Sequence, residues 1–172
     1  MPGGTFLGGM RNAALNFNGN TYVELPNNEA IRARDFTFAA WVYWRGGEAW
    51  QRVFDFGRDK GHYIFFTPST DERRMRFQVR NGGPEIFVEI NESFPINRWV
   101  HLAVTLDGNT GRIYIDGVLR AEGNMPVDPK DVAQRNWLGK SQYGSDPLFD
   151  GMLDEVYIMH RALSAEEVNA MA

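Results

Sequence analysis

Turn dipeptides divide this chain into short segments along most of its length. Asn or Asp is followed by Gly at residues 18–19, 81–82, 107–108 and 116–117. Such pairs favour two-residue hairpin turns because both residues tolerate positive φ. We interpret the segments between the turns, in which apolar and polar residues often alternate, as about twelve β-strands. Regular short strands of this kind predict an all-β fold, namely a two-sheet antiparallel β-sandwich or jelly roll.

One of the turns also predicts how its flanking strands pair. A turn at residues 82–83 places apolar pairs on the core face and the pairs Arg76–Glu89 and Arg80–Glu85 on the solvent face. We interpret these Arg–Glu pairs as exposed salt bridges, each worth less than about 1 kcal/mol. Binding of an acidic ligand by the same side chains is the alternative interpretation.

Local motifs predict one further tight hairpin and a single short C-terminal helix. Asp116 and Gly117 fit the two central positions of a type I′ turn. Near the C-terminus, Ser164 and Glu167 form a capping box, in which each side chain bonds to the other residue's backbone N–H. The helix is predicted to close one end of the sandwich.

Length, charge and cysteine content exclude several classes of protein. The 172 residues suit one domain, so we assign residues 1–10 to an N-terminal extension and residues 11–172 to a single domain. A formal net charge of −4 argues against a nucleic-acid partner. The absence of Cys excludes disulfides and thiolate metal sites. No apolar run approaches the ~20 residues of a membrane helix, so we expect no membrane partner.

Five motifs follow one another in an order that resembles a known family. They read LNFNGNTYVEL at residues 15–25, DFTFAAWV at 35–42, RWVHLAVTLDG at 98–108, RIYIDGVL at 112–119, and FDGMLDEVYI with RALSAEEV within 149–168. Together they resemble the bacterial laminin-G-like domains of the concanavalin A-like lectin/glucanase superfamily, over nearly the whole chain. The resemblance implies a two-sheet antiparallel jelly roll.

The resemblance also implies a function. Such domains are usually accessory modules of secreted glycoside hydrolases, lyases or adhesins, and many bind carbohydrate. Residues 50–57 and 136–143 are similar to modules attached to bacterial arabinofuranosidase-type enzymes. We therefore expect a non-catalytic carbohydrate-binding module of a larger secreted or cell-surface polysaccharide-degrading protein, whose signal peptide lies outside this sequence. Its expected partners are a polysaccharide or oligosaccharide and a linked catalytic domain.

Two other functions are weighed against this one. The first is a structural or adhesion module that recognises protein without binding sugar, and the second is a glycoside hydrolase or lyase. The β-glucanases of the superfamily carry Glu-x-Asp-x-x-Glu on one strand, and this sequence has no such motif. Asp150 and Asp154 would lie ~13 Å apart on an extended strand, beyond the ~5–9.5 Å of glycosidase pairs. His101 is predicted to be a buried, hydrogen-bonded structural residue.

Aromatic residues in turns are the first candidates for sugar binding. A sugar needs an exposed aromatic face for its C–H groups and polar side chains for its hydroxyls. Trp50 and Tyr143 lie in glycine-containing loops, whereas Trp41, Trp99 and Trp137 lie in strand patterns and are predicted to fill the core. The predicted ligand-binding residues are Trp50, Tyr143, Gln142, Arg52, Arg58 and Asp146.

The resemblance further implies one structural Ca²⁺. Carried over residue by residue, its ligands are Asn18, Gly19 and Asp154, with Asn20 as a further candidate. The family's usual Asp is Asn18 here, and losing that charge weakens the site, although amide and backbone oxygens remain acceptable ligands. The alternative is that residues 18–19 are only a turn and that Asp154 pairs with a cation such as Arg11 or Arg161.

Overall fold

The computed structural model describes residues 5–8, 13–27 and 29–172, with residues 5–8 described by their backbone alone. These ranges contain thirteen β-strands, one 3₁₀ turn at Pro129–Asp131 and one α-helix. The strands are β1 (Thr5–Gly8), β2 (Ala13–Asn18), β3 (Val23–Leu25), β4 (Phe36–Trp44), β5 (Phe54–Asp59), β6 (His62–Thr67), β7 (Met75–Asn81), β8 (Ile86–Ile90), β9 (Trp99–Asp107), β10 (Thr110–Ile115), β11 (Val118–Asn124), β12 (Arg135–Leu138) and β13 (Asp150–Met159). The helix, α1, spans Ala165–Met171.

The strands form two antiparallel sheets that face each other. One sheet has seven strands in the order β1-β2-β13-β4-β9-β10-β11, and the other has six in the order β3-β12-β5-β6-β7-β8. The predicted two-sheet sandwich with one short C-terminal helix is confirmed. Early and late strands lie side by side, since Phe17 of β2 pairs with Gly151 of β13. Strand β1 falls within residues 1–10, which the sequence assigned to an extension, and it pairs with β2.

Alternation along the strands builds the core between the sheets. In β4, the residues Phe36, Phe38 and Val42 point inward and are fully buried. They meet inward-facing aromatics of the opposite sheet, and the ring centroids of Phe38 and Phe54 are 4.4 Å apart. Each such side chain contributes roughly 1.5–3 kcal/mol through burial of apolar surface. The core therefore fixes which residues of every strand remain on the outer faces.

The predicted hairpin register is confirmed, but its charged pairs differ from the prediction. Phe77 pairs with Val88, and Arg76 pairs with Glu89. The Arg76–Glu89 ion pair (2.9 Å) is mostly sheltered, with side chains only 12% and 18% exposed. Arg80 makes no ion pair with Glu85 among the described residues and instead donates to backbone carbonyls. The predicted Arg76–Glu89 salt bridge is therefore confirmed, but it is more sheltered than predicted because the Arg76 guanidinium lies over the rings of Phe87 and Trp50.

Three tryptophans predicted to be core residues lie on the outer faces instead. Trp41, Trp99 and Trp137 are half-buried, whereas Trp44 is buried in the core cluster. The β4 sequence FTFAAWVYW is apolar at nearly every position, so composition does not show which set of alternate residues faces inward. The inward set is fixed by Phe36 and Phe38, which leaves Trp41 on the outside.

The capping box and the type I′ turn are both confirmed. Glu167 N donates to Ser164 Oγ, and Ser164 N donates to Glu167 Oε1. Val168 of α1 is fully buried against the outer face of the seven-stranded sheet. Asp116 and Gly117 have φ values of 49° and 81°, as a type I′ turn requires. Within the described ranges, no helix has both the length and the apolarity needed to cross a bilayer.

Candidate functional site

A buried arginine organises the outer face of the six-stranded sheet. Arg52 lies just before β5, and only 1% of it is exposed. Its Nε donates to Asp55 Oδ2 (3.2 Å), and its terminal nitrogens donate to the Trp50 carbonyl (2.7 Å) and to Asp146 Oδ2 (3.0 Å). The guanidinium carbon also lies 3.7 Å from the centroid of the Phe65 ring. Arg52 therefore ties the loop that carries Trp50 to the loop that carries Asp146.

Asp55 is the second buried member of this arrangement. It is fully buried, and its Oδ2 accepts from the backbone N–H of Gln142 (3.0 Å) as well as from Arg52. Its Oδ1 is buried and has no hydrogen-bond partner in the part of the chain that the structure describes. Burial outweighs the charge of Arg52 and raises the pKa of Asp55 from 3.8 to about 7. Asp55 thus fixes the positions of the Arg52 guanidinium and the Gln142 backbone beneath the surface of the sheet.

The loop between β4 and β5 holds Trp50 in a fixed orientation. Trp50 has φ 71°, an uncommon value for a residue other than Gly. Its backbone N–H donates to the Ser69 carbonyl (2.8 Å). The neighbouring Gln51 accepts from Trp44 Nε1 (3.0 Å) and donates to the Gly46 carbonyl (2.9 Å). These bonds maintain the strained backbone and present the Trp50 side chain at the surface.

Tyr143 is held on the other side by a chain of hydroxyl contacts. Its hydroxyl lies 3.2 Å from that of Tyr63 and donates to the Lys60 carbonyl (3.1 Å). Gln78 Nε2 donates to the Tyr63 hydroxyl (2.7 Å). Desolvation, together with the neighbouring Tyr143 hydroxyl, raises the pKa of Tyr63 far above its usual range, so this hydroxyl stays protonated. Both tyrosine rings are therefore anchored at their polar ends.

Between these two loops lies a cavity of about 220 Å³, which we call the Trp50 cavity. It is lined by Trp50, Arg52, Phe65, Gln78, Glu85, Tyr143 and Asp146. The half-buried rings of Trp50 and Tyr143 stand at its sides, and carboxylate and amide groups stand between them. Aromatic faces with a few convergent polar groups are the usual lining of a small-molecule site.

Four of the six predicted ligand-binding residues line this one cavity: Trp50, Arg52, Tyr143 and Asp146. Gln142 and Arg58 do not. The Gln142 side chain donates to the Arg135 carbonyl (2.9 Å), which directs it away, while its backbone N–H supports Asp55. That these residues bind a ligand stays a prediction.

Three lining residues were not among those predicted. Phe65 and Gln78 lie on the outward-facing sets of β6 and β7, and Glu85 precedes β8. The hairpin register already placed Gln78 outward. Phe65 could not be predicted because its position depends on the pairing of β6 with β5, which places it opposite Asp55. That pairing cannot be derived from the sequence of either strand alone.

The predicted calcium ligands lie at two separate positions. Asn18 pairs with Asp150 in the ladder between β2 and β13, and Asp154 lies four residues further along β13. That separation corresponds to ~13 Å of extended strand. The Asn18 side chain accepts from Asn20 N (3.0 Å) and so closes its own turn. Asp154 Oδ1 accepts from Glu155 N (2.9 Å).

The described residues contain no group of three acidic or histidine side chains suited to a metal ion. Of the alternative partners predicted for Asp154, Arg161 pairs with Glu167 instead, and Arg11 lies outside the described residues. The residues present therefore do not form one calcium cluster around Asp154 and Asn18, and calcium binding stays a prediction.

Calorimetry in Ca²⁺ and in EDTA tests that prediction. An ion that binds only the folded state stabilises it by about 2.7 kcal/mol at one hundred times its dissociation constant. If the predicted site forms in spite of this separation, Ca²⁺ raises the melting temperature and the Asp154→Ala variant loses the increase. A melting temperature that is the same in Ca²⁺ and in EDTA would refute the predicted calcium site.

Comparisons with known proteins agree with the fold described above. The chain is similar to domain 4 of AbnA, a GH43 extracellular arabinanase from Geobacillus stearothermophilus, solved in complex with arabinotriose. The two are 25% identical with a TM-score of 0.87, over 99% of this chain and 82% of that one.

More distant structures share the fold. The CBM40 of the Ruminococcus gnavus IT-sialidase, bound to α2,3 sialyllactose, is 15% identical with a TM-score of 0.78, over 92% of this chain and 95% of that one. A SAP-like pentraxin from Limulus polyphemus is 12% identical with a TM-score of 0.66, over 91% and 80% of the two chains. A search of curated proteins found no significant match. The family model Laminin_G_3 matches residues 17–169, and the chain therefore belongs to this family of the concanavalin A-like lectin/glucanase superfamily.

Proposed function

We propose that this chain is a non-catalytic carbohydrate-binding module and that the Trp50 cavity holds the saccharide. The observation that carries the proposal is the convergence of Trp50, Tyr143 and Asp146 from two distant loops on one cavity. The sequence alone predicts a sugar-binding role for the same three residues. Their convergence supports a common role.

The chemistry of the cavity suits a sugar ring. The faces of Trp50 and Tyr143 can pack against C–H groups, while amide and carboxylate groups bind hydroxyls. Asp146 Oδ2 is occupied by Arg52 and by the Ser141 hydroxyl (2.9 Å). Its Oδ1 has no hydrogen-bond partner among the described residues, and the side chain is 20% exposed. This oxygen is oriented by its neighbours and remains able to accept from a hydroxyl.

The likeness to the arabinanase domain supports a choice of ligand. That domain was solved with arabinotriose, and the likeness extends over almost the whole of this chain. We therefore propose short arabino-oligosaccharides and arabinan as ligands. A single shallow cavity limits the contact area, so we expect a dissociation constant of ~10⁻⁵–10⁻³ M. Within a longer secreted protein, the module would raise the local concentration of substrate for a linked catalytic domain.

Isothermal titration with arabinotriose tests the proposal. We expect Trp50→Ala and Tyr143→Ala each to weaken binding at this cavity at least about tenfold, because each removes an aromatic face worth about 1.5 kcal/mol or more. Tyr22→Ala is the matched control, since Tyr22 is a half-buried aromatic that packs on Trp137 and does not line the cavity. If neither cavity substitution lowers the affinity or the stoichiometry of arabinotriose binding, this location is refuted.

Whether the module is non-catalytic is tested by a separate assay, the release of reducing sugar. Asp55 has a raised pKa, as a general acid would require, but it is fully buried and bonded to Arg52. It is thus occupied in a structural role. We expect the protein to release no reducing sugar from arabinan under conditions in which it binds arabinotriose. Release above the buffer rate, lost in the Asp146→Asn variant, would instead support the hydrolase alternative.

A further inference from the structure

A second cavity, of about 470 Å³, lies on the opposite side of the sandwich. It is on the outer face of the seven-stranded sheet, between strands β4, β9 and β13 and the helix α1. We call it the Trp41 cavity; its lining includes Trp41, His101, Glu155, Tyr157 and Arg161. Its volume falls within the range of about 300–1,000 Å³ that is usual for small-molecule sites.

Two aromatic side chains form walls of this cavity. Trp41 is half-buried, and Tyr157 is 44% exposed. The ring of Trp41 meets that of His101 edge-on, with centroids 5.2 Å apart and planes at 74°. Because the rings are nearly perpendicular, they do not form a flat platform for a crystalline surface. They instead leave the Trp41 ring as one side of a recess, which suits a single sugar ring.

A β-bulge places polar groups beside these rings. The register between β13 and β4 shifts between Asp154 and Tyr157, and Glu155, inside the bulge, has φ 51°. Bulges redirect side chains, and a non-Gly residue at positive φ stores strain. The result is that Glu155 Oε2 accepts from the Tyr157 hydroxyl (2.9 Å) at the cavity wall. A hydroxyl and a carboxylate in contact form a pair that can exchange hydrogen bonds with a sugar.

Two polar groups of the lining residues lack hydrogen-bond partners among the described residues. His101 is 1% exposed, and its buried Nδ1 makes no hydrogen bond to any described residue. The indole N–H of Trp41 likewise has no acceptor within the described ranges, whereas that of Trp44 donates to Gln51. Buried polar groups are normally hydrogen-bonded, so an unsatisfied imidazole nitrogen calls for an explanation. The predicted side-chain hydrogen bond of His101 is thus not formed with any residue in the described part of the chain, although the burial of His101 is confirmed.

The charges of the cavity favour a neutral ligand. Arg161 is paired with Glu167, and that carboxylate also belongs to the capping box of α1. Burial lowers the pKa of His101, which keeps the imidazole uncharged at neutral pH. Glu155 is then the carboxylate left to face a ligand, and it would repel an acidic sugar.

We infer that the Trp41 cavity is a second carbohydrate-binding site, which takes one ring of a neutral saccharide. Trp41 packs against the C–H face of the ring, and the Tyr157–Glu155 pair binds its hydroxyls. The inference does not require the Trp50 cavity to bind. Where both cavities bind, the two sites lie on opposite faces, so one molecule can bridge two polysaccharide chains and gain affinity through multivalency.

Indole resonances in ¹H–¹⁵N spectra can test each site separately. The chain has five Trp residues, and Trp41→Phe and Trp50→Phe assign the two signals of interest. The probes are arabinotriose and a set of neutral gluco-, galacto-, xylo- and manno-oligosaccharides, each raised above about 1 mM because the affinity is expected to be weak. We expect saturable shifts of the Trp41 indole signal that persist in Trp50→Ala. Glu155→Gln should weaken the binding that these shifts report at least about fivefold.

Each outcome bears on one site or the other. Shifts confined to the Trp50 signal would support the proposed function and overturn the second site. Shifts confined to the Trp41 signal would support the second site and overturn the proposed binding at the Trp50 cavity. If no neutral oligosaccharide shifts the Trp41 signal, the second site is refuted. Glu155→Gln changes one atom type on an accessible side chain, so it separates lost binding from lost folding where Trp41→Ala would not.

Discussion

Replacing Arg52 with Ala will destabilise the domain by about 3–5 kcal/mol, because it leaves buried partners without their cation. Asp55 is fully buried, and Asp146 is mostly sheltered. The Trp50 carbonyl also loses its donor, and the ring of Phe65 loses its stacked guanidinium. Urea unfolding at pH 7 measures the loss. Because Arg52 joins the two loops, arabinotriose binding at the Trp50 cavity should fall even where the variant remains folded.

Arg120→Ala is the matched control for this experiment. Its ion pair with Glu92 has side chains 39% and 56% exposed, and exposed pairs contribute less than about 1 kcal/mol. The difference between the two variants in free energy of unfolding isolates the effect of burying the ion pair. If Arg52→Ala costs no more than Arg120→Ala, the buried network is not a determinant of stability, and the rigid support of Trp50 must come from Gln51 and from the Trp50 N–H bond to the Ser69 carbonyl.

The stability of the domain will fall as the pH rises from about 4 to about 7, through the titration of Asp55. The pKa of Asp55 is 3.8 when unfolded and about 7 when folded. Between these values the folded state keeps a proton that the unfolded state releases. The stabilisation that this proton gives is fully present below the pKa of the unfolded state and is lost as the pH rises through the pKa of the folded state. This contribution of Asp55 to the free energy of unfolding is on the order of 4 kcal/mol, since each unit of pKa is worth about 1.4 kcal/mol.

Asp55→Asn separates this titration from that of every other group. Asn has the same shape, keeps an oxygen for the Gln142 N–H, and does not ionise. We expect the variant to gain stability relative to the wild type as the pH rises from about 4 to about 8, measured by urea unfolding. A difference between the two proteins that stays constant across this range would show that Asp55 keeps an ordinary pKa.

Much of the fold was predictable because strand alternation and turn chemistry act locally. The turn at residues 82–83 set the register of β7 and β8, and the Ser164–Glu167 capping box fixed the start of α1. The position of Trp41 could not be derived in the same way. Its strand is apolar on both faces, and only the opposing sheet decides which face is inside.

The candidate site was predictable in its loop aromatics but not in its support. Trp50 and Tyr143 were recognised because a ring in a turn is hard to explain as core. Arg52 and Asp55 are charged residues three positions apart, a spacing that would suit a solvent-exposed pair. Their burial depends on Asp146, which comes from a loop far along the chain. Long-range pairing of this kind leaves no periodic signal in the sequence.

The lateral pairing of β2 with β13 also constrains the order in which the chain folds. The seven-stranded sheet contains Phe17 beside Gly151, so its centre cannot close until the last strand has been synthesised. Hairpins such as that of β7 and β8 can form earlier, since their strands are adjacent in sequence. Contacts between distant segments slow folding to milliseconds or seconds in all-β domains of this kind. A ribosome-bound chain that lacks β13 would therefore expose the unpaired edges of β2 and β4 to chaperones.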